Sequence, residues 1–190
     1  MADPTPSRAS PEPILRLSKS WIRAYCQDDA GTISENADNW KIARWMRNTF
    51  PHPYTVESSL DWISRCASAS PTTHFAICDS SSNTVMGGIG VQLKDDVASI
   101  TAEIGYWLGE PHWGQGIATE ALVEFTKWTF ANFNELIRLE ALVYEGHGAS
   151  CRVLEKAGYA FEGRMRKAIK KNGEVLDVLI YCTFRPGSGY

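Results

Sequence analysis

The sequence of 190 residues has no apolar run long enough to cross a bilayer and no strong excess of either charge. A transmembrane helix needs about 20 consecutive, mainly apolar residues, so none is expected. The net charge is −3, which disfavours a nucleic-acid partner because binding to phosphates needs a basic excess or stripe. We therefore expect a globular protein that binds neither membranes nor nucleic acids.

The N-terminal segment also lacks the apolar stretch of a signal peptide. It is instead rich in proline, with small residues in between, which is typical of disordered chains. Residues 1–13 are predicted to form a disordered tail. They precede a single domain over residues 14–186, a length that suits one core, and a short C-terminal tail over residues 187–190.

Cysteine and histidine are few and lack the spacing of metal ligands. The five cysteines contain no Cys-x-x-Cys pair, and the four histidines are scattered. An odd number of separate cysteines is best explained by free thiols in a reducing compartment. We expect the cytoplasm, with the nucleus as an alternative, and no metal site.

Apolar periodicity and turn signals predict a mixed α/β domain of about seven strands and four helices. The clearest early helix follows Thr55, a good N-cap residue with Glu57 in the first turn. A shorter helix is predicted over residues 40–47. One strand ends at Gly109, and the others are predicted over residues 14–17, 73–78, 84–93, 136–143, 159–166 and 175–184.

The most informative segment, residues 103–122, is predicted to be a strand, a glycine-rich loop and the start of a helix. Gly114 and Gly116 leave the backbone N–H groups of the loop unshielded. Free N–H groups in a first helical turn, together with the helix dipole, favour an anion such as phosphate or pyrophosphate. Taken alone, the two glycines are equally compatible with a tight connection.

Two common phosphate loops fit this segment poorly. A P-loop needs Lys and then Ser or Thr after its last glycine, where Ile117 and Ala118 stand. The dinucleotide fingerprint needs a third Gly or Ala where Thr119 stands. A nucleotide-dependent oxidoreductase is therefore disfavoured.

Two blocks resemble the GCN5-related N-acetyltransferases (GNAT), in the branch of the RimJ/RimL-type enzymes. Residues 113–118 are similar to the cofactor motif Gln/Arg-x-x-Gly-x-Gly/Ala, although Trp113 stands where Gln or Arg is usual. In the second block, Ser150 matches a family serine, Gly158 precedes Tyr159 at a helix end as in the family, and His147 replaces the usual Asn. Gly158 suits a left-handed residue just after a helix.

The resemblance implies the GNAT fold, a central, mostly antiparallel and splayed sheet flanked by helices, with acetyl-CoA as cofactor. It also implies that backbone N–H groups of Tyr106, Trp107 and Leu108 stabilise the reaction oxyanion. The remaining cofactor-binding residues that it implies are Trp113, Gly114, Gln115, Gly116, Ile117, Ala118, Thr119, His147 and Ser150.

Acetyl transfer to an amine requires an unprotonated nucleophile. An alkylammonium with a pKa of about 10.4 needs roughly 4–5 kcal/mol to lose its proton at pH 7, against about 1 kcal/mol for an α-amine. The resemblance implies Glu103 as the base, although Glu103 could instead be an exposed strand residue or pair with an arginine. Tyr144 is a weaker candidate, because an aromatic residue just after a core strand more often serves in packing. Ser150 occupies the family position of the acid that protonates the thiolate, and its hydroxyl could also cap a helix.

An aromatic-rich stretch after the first strand is the predicted acceptor site. Rings can hold an amine through cation–π contacts or apolar walls, although packing is the competing explanation. The candidate substrate-binding residues are Trp40, Arg44, Phe50, His52 and Tyr54.

The sequence thus predicts an acetyl-CoA-dependent N-acetyltransferase that acts directly on a primary amine of a small molecule or a peptide N-terminus. We expect a monomer or a homodimer. The alternative is a non-catalytic acyl-CoA-binding module of the same fold, suggested by the unusual Trp113 and His147.

Overall fold

The computed structural model describes residues 10–188, so most of the predicted N-terminal tail and the last two residues lie outside the described residues. Within these described residues the strands form one sheet of eight, in the spatial order β1-β2-β3-β4-β5-β6-β8-β7. The strands are β1 (Pro13–Arg16), β2 (Ser20–Arg23), β3 (His74–Asp79), β4 (Val85–Leu93), β5 (Thr101–Leu108), β6 (Arg138–Tyr144), β7 (Ala160–Lys171) and β8 (Glu174–Phe184).

Five α-helices cover the two faces of the sheet. They are α1 (Ala30–Ala37), α2 (Trp40–Ala43), α3 (Val56–Ser68), α4 (Ile117–Asn132) and α5 (Gly148–Lys156). The larger core cluster joins the sheet to α4 and α5 through residues such as Phe125 and Leu154. The smaller one joins it to α1 and α3 through Ile33 and Ile63. The predicted mixed α/β class is confirmed.

The predicted numbers of strands and of helices were each one too low. The strand β2 is only four residues long and forms a hairpin with β1, so it shows too few alternations to be recognised from sequence. The helix α1 begins with Ala30 and Gly31 and buries only three of its eight residues. The helix predicted over residues 40–47 ends earlier, at Ala43, because the chain then tightens into shorter turns.

The sheet splays between β5 and β6, its one parallel pair. These strands pair only from Thr101 with Arg138 to Glu103 with Glu140. Beyond Glu103, β5 continues beside β4, while β6 continues beside β8. The strands therefore diverge, and a gap opens through the middle of the sheet.

None of the described helices is long and apolar enough to cross a bilayer.

The buried Arg23 donates to both carboxylate oxygens of Asp29, at 2.7 and 2.8 Å, and so ties the segment before α1 to β2. The Asp29 carboxylate also accepts from the backbone N–H of Cys26. This segment is thereby positioned beside the smaller core.

Candidate active site

A cavity of about 1340 Å³ occupies the gap between β5 and β6 and extends to both faces of the sheet. On one side it is lined by the glycine-rich loop and the first turns of α4 and α5. On the other it is lined by one face of α3 and the chain between α2 and α3. The cavity thus joins the predicted cofactor loop to the predicted acceptor region.

The glycine-rich loop has an open backbone surface. Gly114 and Gly116 have φ angles of +73° and +83°, and a Cβ added to either would find no heavy atom within 4 Å. Backbone N–H groups from Gly114 to Thr119 find no acceptor among residues 10–188. They precede or begin a helix of 16 residues, whose dipole favours an anion at this end. The loop therefore fits the diphosphate of coenzyme A.

The side chains of Trp113 and Gln115 support the loop from within. Trp113 donates from Nε1 to the carbonyl of Leu108 at 2.8 Å, which ties the loop to the end of β5. Gln115 donates from Nε2 to the carbonyl of Pro111 at 3.0 Å. Of the loop residues predicted to bind the cofactor, Gln115 alone does not line the cavity, because its side chain is used within the loop.

Ser150 and Tyr106 meet on the side of the sheet that carries α4 and α5. Their hydroxyl oxygens are 3.0 Å apart, and Tyr106 also lies 3.3 Å from the Ser150 carbonyl. Burial raises the pKa of Tyr106 to about 12, so its hydroxyl keeps its proton at neutral pH. The pair is therefore a source of hydrogen-bond donors beside the splay.

His147, the residue in place of the family Asn, is held in a stack of three side chains. Its ring lies on Trp45 at 4.7 Å and 2°, and the guanidinium of Arg44 lies over Trp45 at 4.6 Å. Burial, and then the charge of Arg44, lower the pKa of His147 to about 4. His147 is thus neutral at pH 7, and its contact with Trp45 ties the start of α5 to the acceptor side.

Glu103 lies on β5 where the splay begins, and its carboxylate pairs with Arg47. Nη2 of Arg47 donates to both oxygens of Glu103 at 2.7 Å, while Nη1 donates to Gln92 Oε1 at 3.1 Å. The alternative of an arginine partner for Glu103 is therefore realised. Tyr144 lines the same cavity, and burial raises the pKa of its hydroxyl.

The predicted acceptor residues separate into two groups. Arg44, Phe50 and Tyr54 line the main cavity. Trp40 and His52 do not; they line a second cavity of about 190 Å³, where their rings are 5.7 Å apart. Phe50 and Pro51 line both cavities, so the two groups lie on either side of this short segment.

Several residues that line the cavity near the predicted acceptor residues were not predicted. Trp45 and Arg47 lie beyond the end of α2, in turns whose direction the sequence does not show. Along α3, helical spacing places four residues on the cavity, and this stripe was the available signal. They are Ser58, Asp61, Trp62 and Arg65.

Glycines form part of the cavity floor. Gly90 on β4 and Gly105 on β5 are cross-strand partners. A Cβ at Gly90 would meet the His74 ring at 2.5 Å, whereas one at Gly105 would find nothing within 4 Å. Gly105 lies between Glu103 and Trp107 on the same strand face, so open space lies directly beside the carboxylate.

Comparisons with known proteins identify the family of this fold. Residues 20–160 match the family model described as the acetyltransferase (GNAT) domain. The uncharacterized N-acetyltransferase YoaA of Bacillus subtilis is 34% identical over 177 residues, which cover 92% of this chain and 98% of YoaA.

Two solved structures share the fold. The ribosomal-protein-S5-alanine acetyltransferase of Vibrio fischeri has a TM-score of 0.78 and 20% identity, with 91% of this chain and 97% of that chain covered. Mycobacterium smegmatis RimJ, in complex with CoA-disulfide, has a TM-score of 0.76 and 23% identity, with 90% and 84% covered. The chain therefore belongs to the GNAT acetyltransferase family and is an acetyltransferase.

Proposed function

We propose that the protein transfers an acetyl group directly to a primary amine of a small molecule or of a peptide N-terminus. The observation that carries this proposal is the splay itself, which opens one cavity to Ser150 on one side and to Glu103 on the other. The proposed catalytic unit is one acetyltransferase domain over residues 14–186.

Acetyl-CoA, when bound, supplies an electrophilic thioester carbonyl and a thiolate leaving group. The backbone N–H groups from Gly114 to Thr119 are suited to its diphosphate. The neutral ring of His147 and the start of α5 line the cavity between this loop and Ser150. No residue of this set needs a metal ion for the task.

Glu103 is the proposed base for the acceptor. Its oxygens have lone pairs beyond those that accept from Arg47, so an ammonium or a bridging water can also donate to them. An ammonium group with a pKa of about 10.4 needs this help, because its deprotonation costs roughly 4–5 kcal/mol at pH 7. Tyr144 keeps its proton, and we assign it to the cavity wall and not to the base.

Ser150 is the proposed acid for the departing sulfur. A serine hydroxyl is a weak acid alone, and the hydroxyl of Tyr106 at 3.0 Å can donate to Ser150 Oγ as negative charge develops there. The backbone N–H of Trp107, like that of Gly109, points to β4, whereas those of Tyr106 and Leu108 point to the β6 side, where no strand pairs with them. We propose that they stabilise the oxyanion.

The non-catalytic alternative is not favoured. It depended on Trp113 and His147, and both have structural partners that leave the cavity open. Trp113 secures the loop through Leu108, and His147 packs on Trp45. Neither departure from the family pattern removes a group that the proposed chemistry uses.

The proposal is tested with purified protein, acetyl-CoA and a panel of amines and peptides. We expect acetyl-CoA to raise the melting temperature and some acceptors to cause release of free coenzyme A thiol. Glu103→Gln and Ser150→Ala should each lower kcat by about 10²–10⁴-fold at unchanged Kd for acetyl-CoA. Glu124→Gln, on the exposed part of α4, is the matched control. If acetyl-CoA does not stabilise the protein and no acceptor causes thiol release, the proposal is wrong.

A further inference from the structure

We propose that the acceptor is a zwitterionic amino acid, whose amine binds to Glu103 and whose carboxylate binds to Arg47. This inference rests on the proposed function and narrows its primary amine to one chemical class. It is carried by the pairing of an acidic and a basic side chain at the acceptor end of the cavity.

The position of the Arg47 guanidinium is set by the sheet. Gln92 on β4 and Glu103 on β5 are cross-strand partners, and both accept from Arg47. The two acceptors therefore stand side by side on a rigid surface. The positive charge of Arg47 is held next to the carboxylate that is the proposed base.

Both members of the pair can still bind a ligand. The Arg47 side chain is 55% exposed and that of Glu103 is 20% exposed. Nε of Arg47 has no acceptor in the part of the chain that the structure describes. Nη1 also has a second N–H beyond the one that it donates to Gln92, so Nε and Nη1 can each donate to a substrate carboxylate while Nη2 stays on Glu103.

Space for the acceptor exists beside this pair. Gly105 follows Glu103 on the same face of β5, and the volume where its side chain would stand is empty. Trp107 bounds this volume along the strand, and its ring makes an edge contact with Phe50 at 5.9 Å. An amine beside Glu103 would thus lie at the splay, with the rest of the amino acid against an aromatic wall.

The charge of the pair discriminates among acceptors. A simple monoamine brings a second positive charge next to Arg47, and Coulomb repulsion opposes this. A peptide N-terminus has a neutral carbonyl in place of the carboxylate, so it offers no anion to the guanidinium of Arg47. An amino acid places each of its charges beside a charge of opposite sign. On the cavity face of α3, Asp61 and Arg65 carry charges of opposite sign.

The test uses the full-length protein with acetyl-CoA and three matched sets of acceptors. These are the twenty amino acids, their carboxamides and their decarboxylated amines, with a set of short peptides in parallel. Mass spectrometry detects the gain of one acetyl group, and kcat/KM is measured for the best amino acid and its two analogues. We expect the amino acid to exceed each analogue by about tenfold to a hundredfold, as for a lost hydrogen bond between charged groups.

A variant separates substrate recognition from a structural role of Arg47. Arg47→Gln should raise KM for the amino acid and reduce its advantage over the carboxamide by about tenfold or more. Arg47→Lys should restore part of that advantage, because it returns the charge without the paired donors. Arg166→Gln removes an exposed arginine of β7 outside the cavity and is the control for loss of charge.

The outcomes distinguish this inference from the proposed function. Acetylation of carboxamides, decarboxylated amines or peptides as fast as of amino acids overturns the inference and leaves the acetyltransferase assignment intact. An equal loss of activity toward all acceptors in Arg47→Gln also overturns it, because a structural role predicts no change in the ratio. Absence of product with every amine and peptide would refute the proposed function as well.

Discussion

Alanine substitutions at Gly90 and Gly105 provide a matched test of the acceptor space. The two glycines are cross-strand partners on the same face, yet their surroundings differ. At Gly90 a Cβ would lie 2.5 Å from His74 Cδ2 and 2.8 Å from the Thr73 carbonyl oxygen. At Gly105 a Cβ would meet no atom within 4 Å. One substitution therefore perturbs the fold, and the other enters the cavity.

The magnitudes follow from these contacts. Overpacking destabilises the folded state by about 1–3 kcal/mol. Replacing glycine by alanine also lowers the conformational entropy of the unfolded chain, which stabilises the protein by about 0.4–1 kcal/mol. Gly90→Ala should thus destabilise the protein by about 1–2 kcal/mol, which lowers Tm by roughly 2–8 °C in a chain of this size. Gly105→Ala should keep Tm or raise it by about 1–4 °C.

Activity should show the opposite pattern to stability, with the larger loss at Gly105 and the smaller loss at Gly90. A side chain at Gly105 displaces the acceptor nitrogen from its position beside Glu103, and a displacement of about 1 Å can reduce the rate about a hundredfold. We expect kcat/KM to fall by about this factor in Gly105→Val, with less effect in Gly105→Ala, and with unchanged Kd for acetyl-CoA by calorimetry. Gly90→Ala should retain most of its activity below its melting range.

The reasoning is refuted if Gly105→Val acetylates the best acceptor as fast as the unaltered protein. It is equally refuted if Gly105→Ala loses stability as Gly90→Ala does, because the volume over Gly105 would then be occupied. Differential scanning fluorimetry and steady-state kinetics on the same preparations measure both quantities.

Three further predictions concern the base, the buried ion pair and the histidine stack. Glu103→Gln should slow the acetylation of an alkylamine more than that of an α-amine, since their deprotonation at pH 7 costs about 4–5 and about 1 kcal/mol; equal kcat/KM losses would contradict the proposed base. Asp29→Ala leaves the buried guanidinium of Arg23 without its partner and should cost about 3–5 kcal/mol in urea unfolding, and a loss below about 1 kcal/mol would contradict this. Folding lowers the pKa of His147 from 6.5 to about 4, so between these pH values the folded protein binds fewer protons than the unfolded chain. The folded state therefore loses stability as the pH falls from about 6.5 to about 4. His147→Asn should weaken this pH dependence of the unfolding midpoint.

The fold class and the conformation of the glycine-rich loop were predictable because their signals are local. Gly114 and Gly116 adopt positive φ, as their place in a glycine-rich loop suggests, and Gly158 takes the left-handed conformation predicted after α5. The helix after Thr55 begins as predicted, with the Thr55 hydroxyl accepting from the Ser58 N–H. Caps and turns depend on a few neighbouring residues, so a sequence displays them directly.

The acceptor side could not be predicted in the same way. Its aromatic residues were recognised, but Trp40 and His52 lie away from the main cavity, whereas Trp45 stacks on His147 and faces it. Which rings reach the cavity depends on the turns between α2 and α3. No periodic pattern reports the direction of such turns.

The sequence by itself determined the family, the glycine-rich loop and the presence of Glu103 and Ser150, because each depends on residue types at short spacing. Only the tertiary structure decided what surrounds them. Arg47 and Glu103 are 56 positions apart in the sequence, and Tyr106 and Ser150 are 44 positions apart, yet the sheet and its splay bring each pair together. Contacts across such separations depend on how the whole chain packs, so the partners of the candidate base and acid are properties of the fold.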